Sequence, residues 1–264
     1  MVCGSWGKMM RIVVFFAAFA CLISAQEHEG EHPGIELGTH EATPSQPDPT
    51  CDQGLTVTAT AAALIAYAGV GDLDKVKEFL DQGLDPDSVD PEDSDLETAL
   101  MRAASKNHHH VLKHLLDRGA DRFRRDWEGK TALMIAATLG GKEALRELLE
   151  ERPSAFDGST ELTLSGDEGK YEEMKDYRGR TALLWACYNA KADTAELLIE
   201  RGVNLNAQDD TGRTPLMWAV TGANARGLAV TKLMLEAGAD TAMEDHGGAT
   251  ALSWAVERGN KDLL

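Results

Sequence analysis

The sequence predicts an all-α repeat fold, an α-solenoid of helix-turn-helix units with short β-hairpin tips, and three observations predict it. The string Thr-Ala-Leu or Thr-Pro-Leu, followed within four residues by Ala, opens at Thr98, Thr131, Thr181, Thr214 and Thr250. The separations are 33, 50, 33 and 36 residues, so one unit is 33 residues, with 17 inserted before Thr181 and 3 before Thr250. Each of four second helices closes on a glycine, at Gly83, Gly119, Gly202 and Gly238, where a left-handed residue ends a helix at least steric cost. A period of this size is the mark of stacked units that bury their apolar faces only against one another.

The chain begins differently. Lys8 and Arg11 precede an unbroken apolar run over residues 12–23, followed by Ser24 and Ala25. This is the charged start, apolar centre and small-residue exit of a secretory signal peptide, so residues 1–25 are expected to be removed and the chain exported, periplasmic or secreted. The run is 12 residues, short of the roughly 20 that a spanning helix needs, so no membrane span is expected. Cys21 leaves open a lipidated alternative. Loss of residues 1–25 removes two cations and no anion, and takes the formal charge from -18 to -20. An acidic surface of that size repels a phosphate backbone and argues against nucleic acid as a partner.

Residues 26–54 hold seven acidic groups, no Lys or Arg, and Pro33, Pro44, Pro47 and Pro49. Such a composition cannot bury enough apolar surface to offset chain entropy, so residues 26–57 are expected to be a disordered acidic linker. Of the four cysteines, Cys3 and Cys21 leave with the leader, and Cys51 and Cys187 are expected as free thiols rather than a disulfide framework.

From residue 58 onward the units repeat in register, beginning with a degenerate copy near Ala62. Gly212-Arg213-Thr214-Pro215-Leu216 and Glu236-Ala237-Gly238-Ala239-Asp240 are specific strings. On these the region 58–264 resembles ankyrin repeats, about five full repeats and a partial sixth, with an insertion at about 157–176. The resemblance implies a protein-binding solenoid. The His that the family often places after Thr-Pro-Leu is replaced here by Met101, Met134, Leu184, Met217 and Ser253, which is expected to remove a hydrogen bond from the turn. Within the insertion, residues 160–164 alternate with period two and residues 170–174 are expected to return antiparallel as a hairpin. At the C-terminus, Lys261-Asp262-Leu263-Leu264 begins another helix without its closing Gly, as in a fragment or a frayed last unit.

Chemistry is not indicated. Gly140-Gly141-Lys142 lacks the earlier Gly and the following Ser or Thr of a phosphate loop and reads as an inter-helix turn. The run Asp85, Asp87, Asp90, Glu92, Asp93, Asp95 and Glu97 lacks the central Gly and oxygen spacing of a calcium loop and reads as a solvated tip. His108, His109, His110 and His114 read as surface histidines, and Cys187 as a buried, inert thiol in an alanine slot. No metal, cofactor or catalytic residue is expected.

Binding is the expected function, through a concave surface of tips and inner helices. Its candidate residues are Trp127, Glu128 and Lys130, then Tyr177, Arg178 and Arg180, then Asp210, Thr211 and Arg213. Lys130, Arg180 and Arg213 recur immediately before the unit's Thr and are expected to steer an acidic protein partner, with Trp127 and Tyr177 anchoring it. Trp185, Trp218 and Trp254 share another slot and are expected to stack as a ladder. A regulatory or protective subunit of an exported enzyme stands as the alternative reading, ahead of a catalytic protein.

Overall fold

The computed structural model describes residues 52–150, 170–221 and 225–260. The expected signal peptide, Cys51, the strand expected at residues 160–164 and the last four residues lie outside the described residues. Eleven α-helices are described: α1 (Asp52–Val70), α2 (Leu73–Asp81), α3 (Ala99–Ser105), α4 (His109–Asp117), α5 (Ala132–Leu139), α6 (Lys142–Leu149), α7 (Ala182–Tyr188), α8 (Ala192–Glu200), α9 (Pro215–Thr221), α10 (Ala225–Glu236) and α11 (Ala251–Glu257). Helix α1 already runs at Asp52, inside the stretch expected to be linker.

The odd-numbered helices pack in sequence as an inner row and α2, α4, α6, α8 and α10 as an outer row. The inner helices α3, α5, α7 and α9 are short, seven or eight residues, and largely buried, whereas α1 has 19 residues and α11 leaves Leu252 and Val256 exposed. Residues 132–137 and 182–187 contain no exposed position, because alanine pairs such as Ala103-Ala104 and Ala136-Ala137 let neighbouring helices approach closely. Leu112, Leu115, Leu145, Leu148 and Leu198 of the outer row fill the space behind them.

The repeated Thr is a helix N-cap. The hydroxyls of Thr98, Thr181 and Thr214 accept the amides of Met101, Leu184 and Met217 at 3.3, 3.4 and 3.3 Å. In α11 Thr250 and Ser253 cap reciprocally: Ser253 N–H donates to Thr250 Oγ1, and Thr250 N–H donates to Ser253 Oγ at 2.8 Å. The replacement of His therefore does not cost the last unit its turn hydrogen bond.

The closing glycines sit at φ of +71° to +89°, as the helix ends require. The inter-helix turns use the same left-handed conformation at Gly71, Asn107, Gly140 and Ala190, and Ala190 holds φ 53° despite its methyl group. A left-handed alanine costs about 1–2 kcal/mol, of which extra unfolded-state freedom in glycine cancels part. Ala190→Gly should therefore stabilise the fold by about 0.5–1 kcal/mol, read as a rise in the thermal midpoint of about 2 °C. An unchanged or lower midpoint would refute this.

The insertion does not interrupt the stack, since α5 packs on α7 and α6 on α8. Its two ends are pinned. Helix α6 has no closing glycine, and Glu150 leaves it extended at ψ 132°; its last carbonyls are instead taken by guanidinium groups, Leu148 by Arg122 and Leu149 by Arg201. At the other end Tyr171 is buried, its ring edge-on to Phe123 at 5.3 Å, and its hydroxyl accepts the amide of Leu133 at 3.2 Å. That hydroxyl serves the first turn of α5, where Thr131 makes no cap bond. Residues 171–173 form a 3-10 turn, so the antiparallel return expected at residues 170–174 is not formed there. The three residues inserted before Thr250 accompany a longer outer helix: α10 has 12 residues where α2, α4 and α8 have nine.

Candidate functional site

Four of the tips are each organised by one aspartate that the sequence reading did not single out. Asp126, Asp176, Asp209 and Asp245 each donate their own amide to the carbonyl four residues on, in Lys130, Arg180, Arg213 and Ala249, at 2.9–3.1 Å. Oδ1 of each accepts two further amides, for Asp176 those of Arg178 at 2.8 Å and Arg180 at 2.9 Å. A glycine with positive φ follows three residues after the Asp, at Gly129, Gly179, Gly212 and Gly248. These are tight turns rather than strands; the one bridge among the described residues joins Glu244 and Thr250.

Neighbouring tips are bonded to each other. The amides of Trp127, Tyr177, Asp210 and His246 donate to the carbonyls of Asp95, Glu128, Arg178 and Thr211 at 3.0–3.2 Å. Glycine is needed for this close approach as well as for its φ: a Cβ on Gly129 would stand 2.9 Å from the amide nitrogen of Tyr177, and one on Gly212 2.6 Å from that of His246.

The second carboxylate oxygen faces the inner helices. Trp185, Trp218 and Trp254 donate their indole N–H to Oδ2 of Asp176, Asp209 and Asp245 at 3.0, 2.8 and 2.9 Å. The expected tryptophan ladder is therefore interleaved with the expected basic stripe. Lys130 Nζ lies 4.2 Å from the centre of the Trp185 ring and the Arg180 guanidinium 3.8 Å; Arg213 lies 4.6 Å from Trp218 and 4.0 Å from Trp254. Tyr188 closes the group edge-on to Trp185 and Trp218, at 5.9 and 5.0 Å.

The three cations are less open to solvent than a steering role would ask. Their side chains are only 15, 11 and 22% exposed, and each is paired: Lys130 with Glu128, Arg180 with Asp176 at 3.0 Å, Arg213 with Asp245 at 4.0 Å. A cation over an indole contributes about 0.5–2 kcal/mol, so these contacts tie the tips to the inner helices. Replacing them with Ala is expected to weaken the fold.

The remaining candidates divide. Trp127 and Tyr177 occupy the same slot of adjacent tips with 57 and 66% of their surface exposed. Arg178, Asp210 and Thr211 are exposed, and Glu128 is half-buried against Lys130. The histidines are more engaged than expected. The ring Nε2 atoms of His108 and His110 lie 3.2 and 3.1 Å from the carbonyl oxygens of Gly69 and Gly71, and burial lowers the pKa of His114. Cys187 is buried and free, with burial pushing its thiol far up. Gly140-Gly141 forms the inter-helix turn, as expected. No group of three or more His, Cys, Asp or Glu placed to hold a metal ion occurs among the described residues.

A family profile described as ankyrin repeats, in three copies, matches residues 62–157 and 155–245. The chain belongs to the ankyrin repeat family. Among solved structures it is similar to EF0377, an ankyrin repeat protein known as a crystal structure, with a TM-score of 0.63 and 28% identity over 77% of this chain and 94% of that one. Among curated proteins it is similar to the neurogenic locus notch homolog protein 1 of Mus musculus and of Cricetulus griseus, 30% identical over 131 residues. That match covers 43% of this chain, and the chain spans about 5% of the length of those relatives. Ankyrin repeats indicate a protein–protein interaction module, and no described helix is long and apolar enough to cross a membrane.

Proposed function

We propose that the chain is an exported ankyrin module, periplasmic or secreted, that holds a protein partner against its tip surface with Trp127 and Tyr177 as anchors. One observation carries this reading. Two large aromatic side chains project from adjacent tips whose backbones are bonded to each other, Tyr177 N–H to Glu128 O at 3.1 Å, so both are presented with little ordering left to do on binding. Arg178, Asp210 and Thr211 supply a polar rim, and Tyr188, 51% exposed on the inner row, extends the aromatic surface.

Export is supported by the charged start, the 12-residue apolar run and the small-residue exit at Ala25. N-terminal sequencing of the chain recovered from the exported fraction should begin near Gln26, and a chain beginning at Met1 would refute it.

Capture from the same fraction by the tagged chain, followed by mass spectrometry, identifies the partner; recovery of an exported enzyme would establish the regulatory or protective role as the special case. Trp127→Ala should then raise the dissociation rate about 30-fold, the equivalent of a hot-spot loss of about 2 kcal/mol. Unchanged kinetics would move the site to another face.

A further inference from the structure

We propose that the segment held by these tips is basic: a stretch of partner protein in which Lys or Arg flank an apolar or aromatic residue. This rests on the tip reading above and fixes the partner's charge, opposite in sign to that expected from Lys130, Arg180 and Arg213. Those three cations are committed to indoles and carboxylates inside the repeat stack. The strongest charge left next to the aromatic platform is the negative tip that adjoins Trp127.

The amide of Trp127 donates to the carbonyl of Asp95 at 3.2 Å, which sets the exposed indole directly beside the tip formed by residues 84–97. That tip bears Asp85, Asp87, Asp90, Glu92, Asp93, Asp95 and Glu97 and no Lys or Arg. Local neutralisation is partial. Glu97 pairs with Arg102 and Asp87 feels Arg124, whereas the carboxylates of Asp85 and Asp90 accept the amides of Asp87 and Glu92 in their own turns, which leaves their charge in place. Asp85 and Glu92 are exposed, as is Asp210 on the tip beyond Tyr177. Burial raises the pKa of Glu97, with the Arg102 charge opposing and Asp93 and Asp95 adding to the rise. Lys and Arg are also the side chains that gain from the faces of exposed Trp and Tyr rings. Arg178 and Lys175, exposed on either side of Tyr177, and Arg124, exposed three residues before Trp127, are the countercharges that a basic segment must tolerate.

The test uses the whole exported chain and two probes, a short peptide alternating Lys and Leu and its counterpart with Glu in place of Lys, read by calorimetry at low and high salt. The Lys peptide should bind, more weakly as salt rises. Trp127→Ala should weaken it about 30-fold. Asp90→Asn with Glu92→Gln should weaken it about fivefold, and Arg178→Ala should tighten it about two- to fivefold, as rim charges do. Glu196→Gln with Glu200→Gln, the same change in net charge on outer helix α8, should leave it unaltered. Equal loss in the two double variants would mean diffuse attraction to an acidic protein and overturn the inference. Binding of the Glu peptide, weakened by Arg178→Ala, would overturn it while leaving the tip site in place. If Trp127→Ala alters neither peptide nor the captured partner, the tip reading itself fails.

Discussion

Asp176→Ala should destabilise the protein by about 4 kcal/mol. The side chain is wholly buried and accepts four donors: the amides of Arg178 and Arg180 on Oδ1, and Arg180 Nε and Trp185 Nε1, each at 3.0 Å, on Oδ2. An unsatisfied buried donor costs about 1–3 kcal/mol, and breaking a buried ion pair by removing one partner costs about 3–5 kcal/mol; water entering at the tip recovers part of the sum. Asp176→Asn separates the contributions. Its oxygen can keep both amides while its amide group faces the Arg and Trp donors, so the loss should be intermediate. Because a repeat stack is stabilised by nearest-neighbour coupling, a lesion in the fourth unit should also let its two sides unfold separately. Urea titration followed by circular dichroism should show a lower midpoint and a broader transition. A loss under about 1 kcal/mol would show that the aspartate does not organise the tip.

The helices were legible because their signals are local. Thr caps the helix it precedes, the alanine pairs fix the buried face, and glycine closes the outer helix, each within one unit of sequence. The tip hub was legible only in part. Asp126, Asp176, Asp209 and Asp245 each stand three residues before a glycine, and the last three stand nine before Trp185, Trp218 and Trp254, a spacing visible in the sequence. What periodicity does not give is which repeated slots meet. The basic stripe and the tryptophan ladder share one period and look like two parallel rows, yet Lys130 reaches Trp185 across the insertion and Arg213 reaches Trp254 in the next unit. The contacts of the histidines were hidden for the same reason, since the carbonyls that His108 and His110 approach lie 39 residues earlier in the chain. The clamp on the insertion, made by Arg122, Arg201 and Tyr171, replaces a missing glycine with contacts that no local pattern announces.

Gly179→Ala should cost about 3 kcal/mol and should impair binding although every proposed anchor is retained. Gly179 lies at φ 72°, and a methyl group there would stand 2.5 Å from Asp210 Oδ1 and 2.9 Å from the amide nitrogen of Asp210. A side chain could rotate away; a backbone amide already bonded to Arg178 O at 3.0 Å cannot move without giving up that bond. The left-handed alanine contributes about 1–2 kcal/mol and the lost tip-to-tip bond about 1 kcal/mol. Gly238→Ala is the matched control. Its φ is 88°, and nothing lies within 4 Å of the added carbon, so only the conformational part should appear. The difference between the two losses in urea midpoint therefore measures how strongly adjacent tips are tied. Since the same backbone carries Tyr177, the Gly179 variant should also bind the captured partner more weakly at a temperature where it remains folded, and Gly238→Ala should not. Equal stability losses, with partner affinity unchanged in both, would mean that the tips stand independently and that Trp127 and Tyr177 are not presented as one surface.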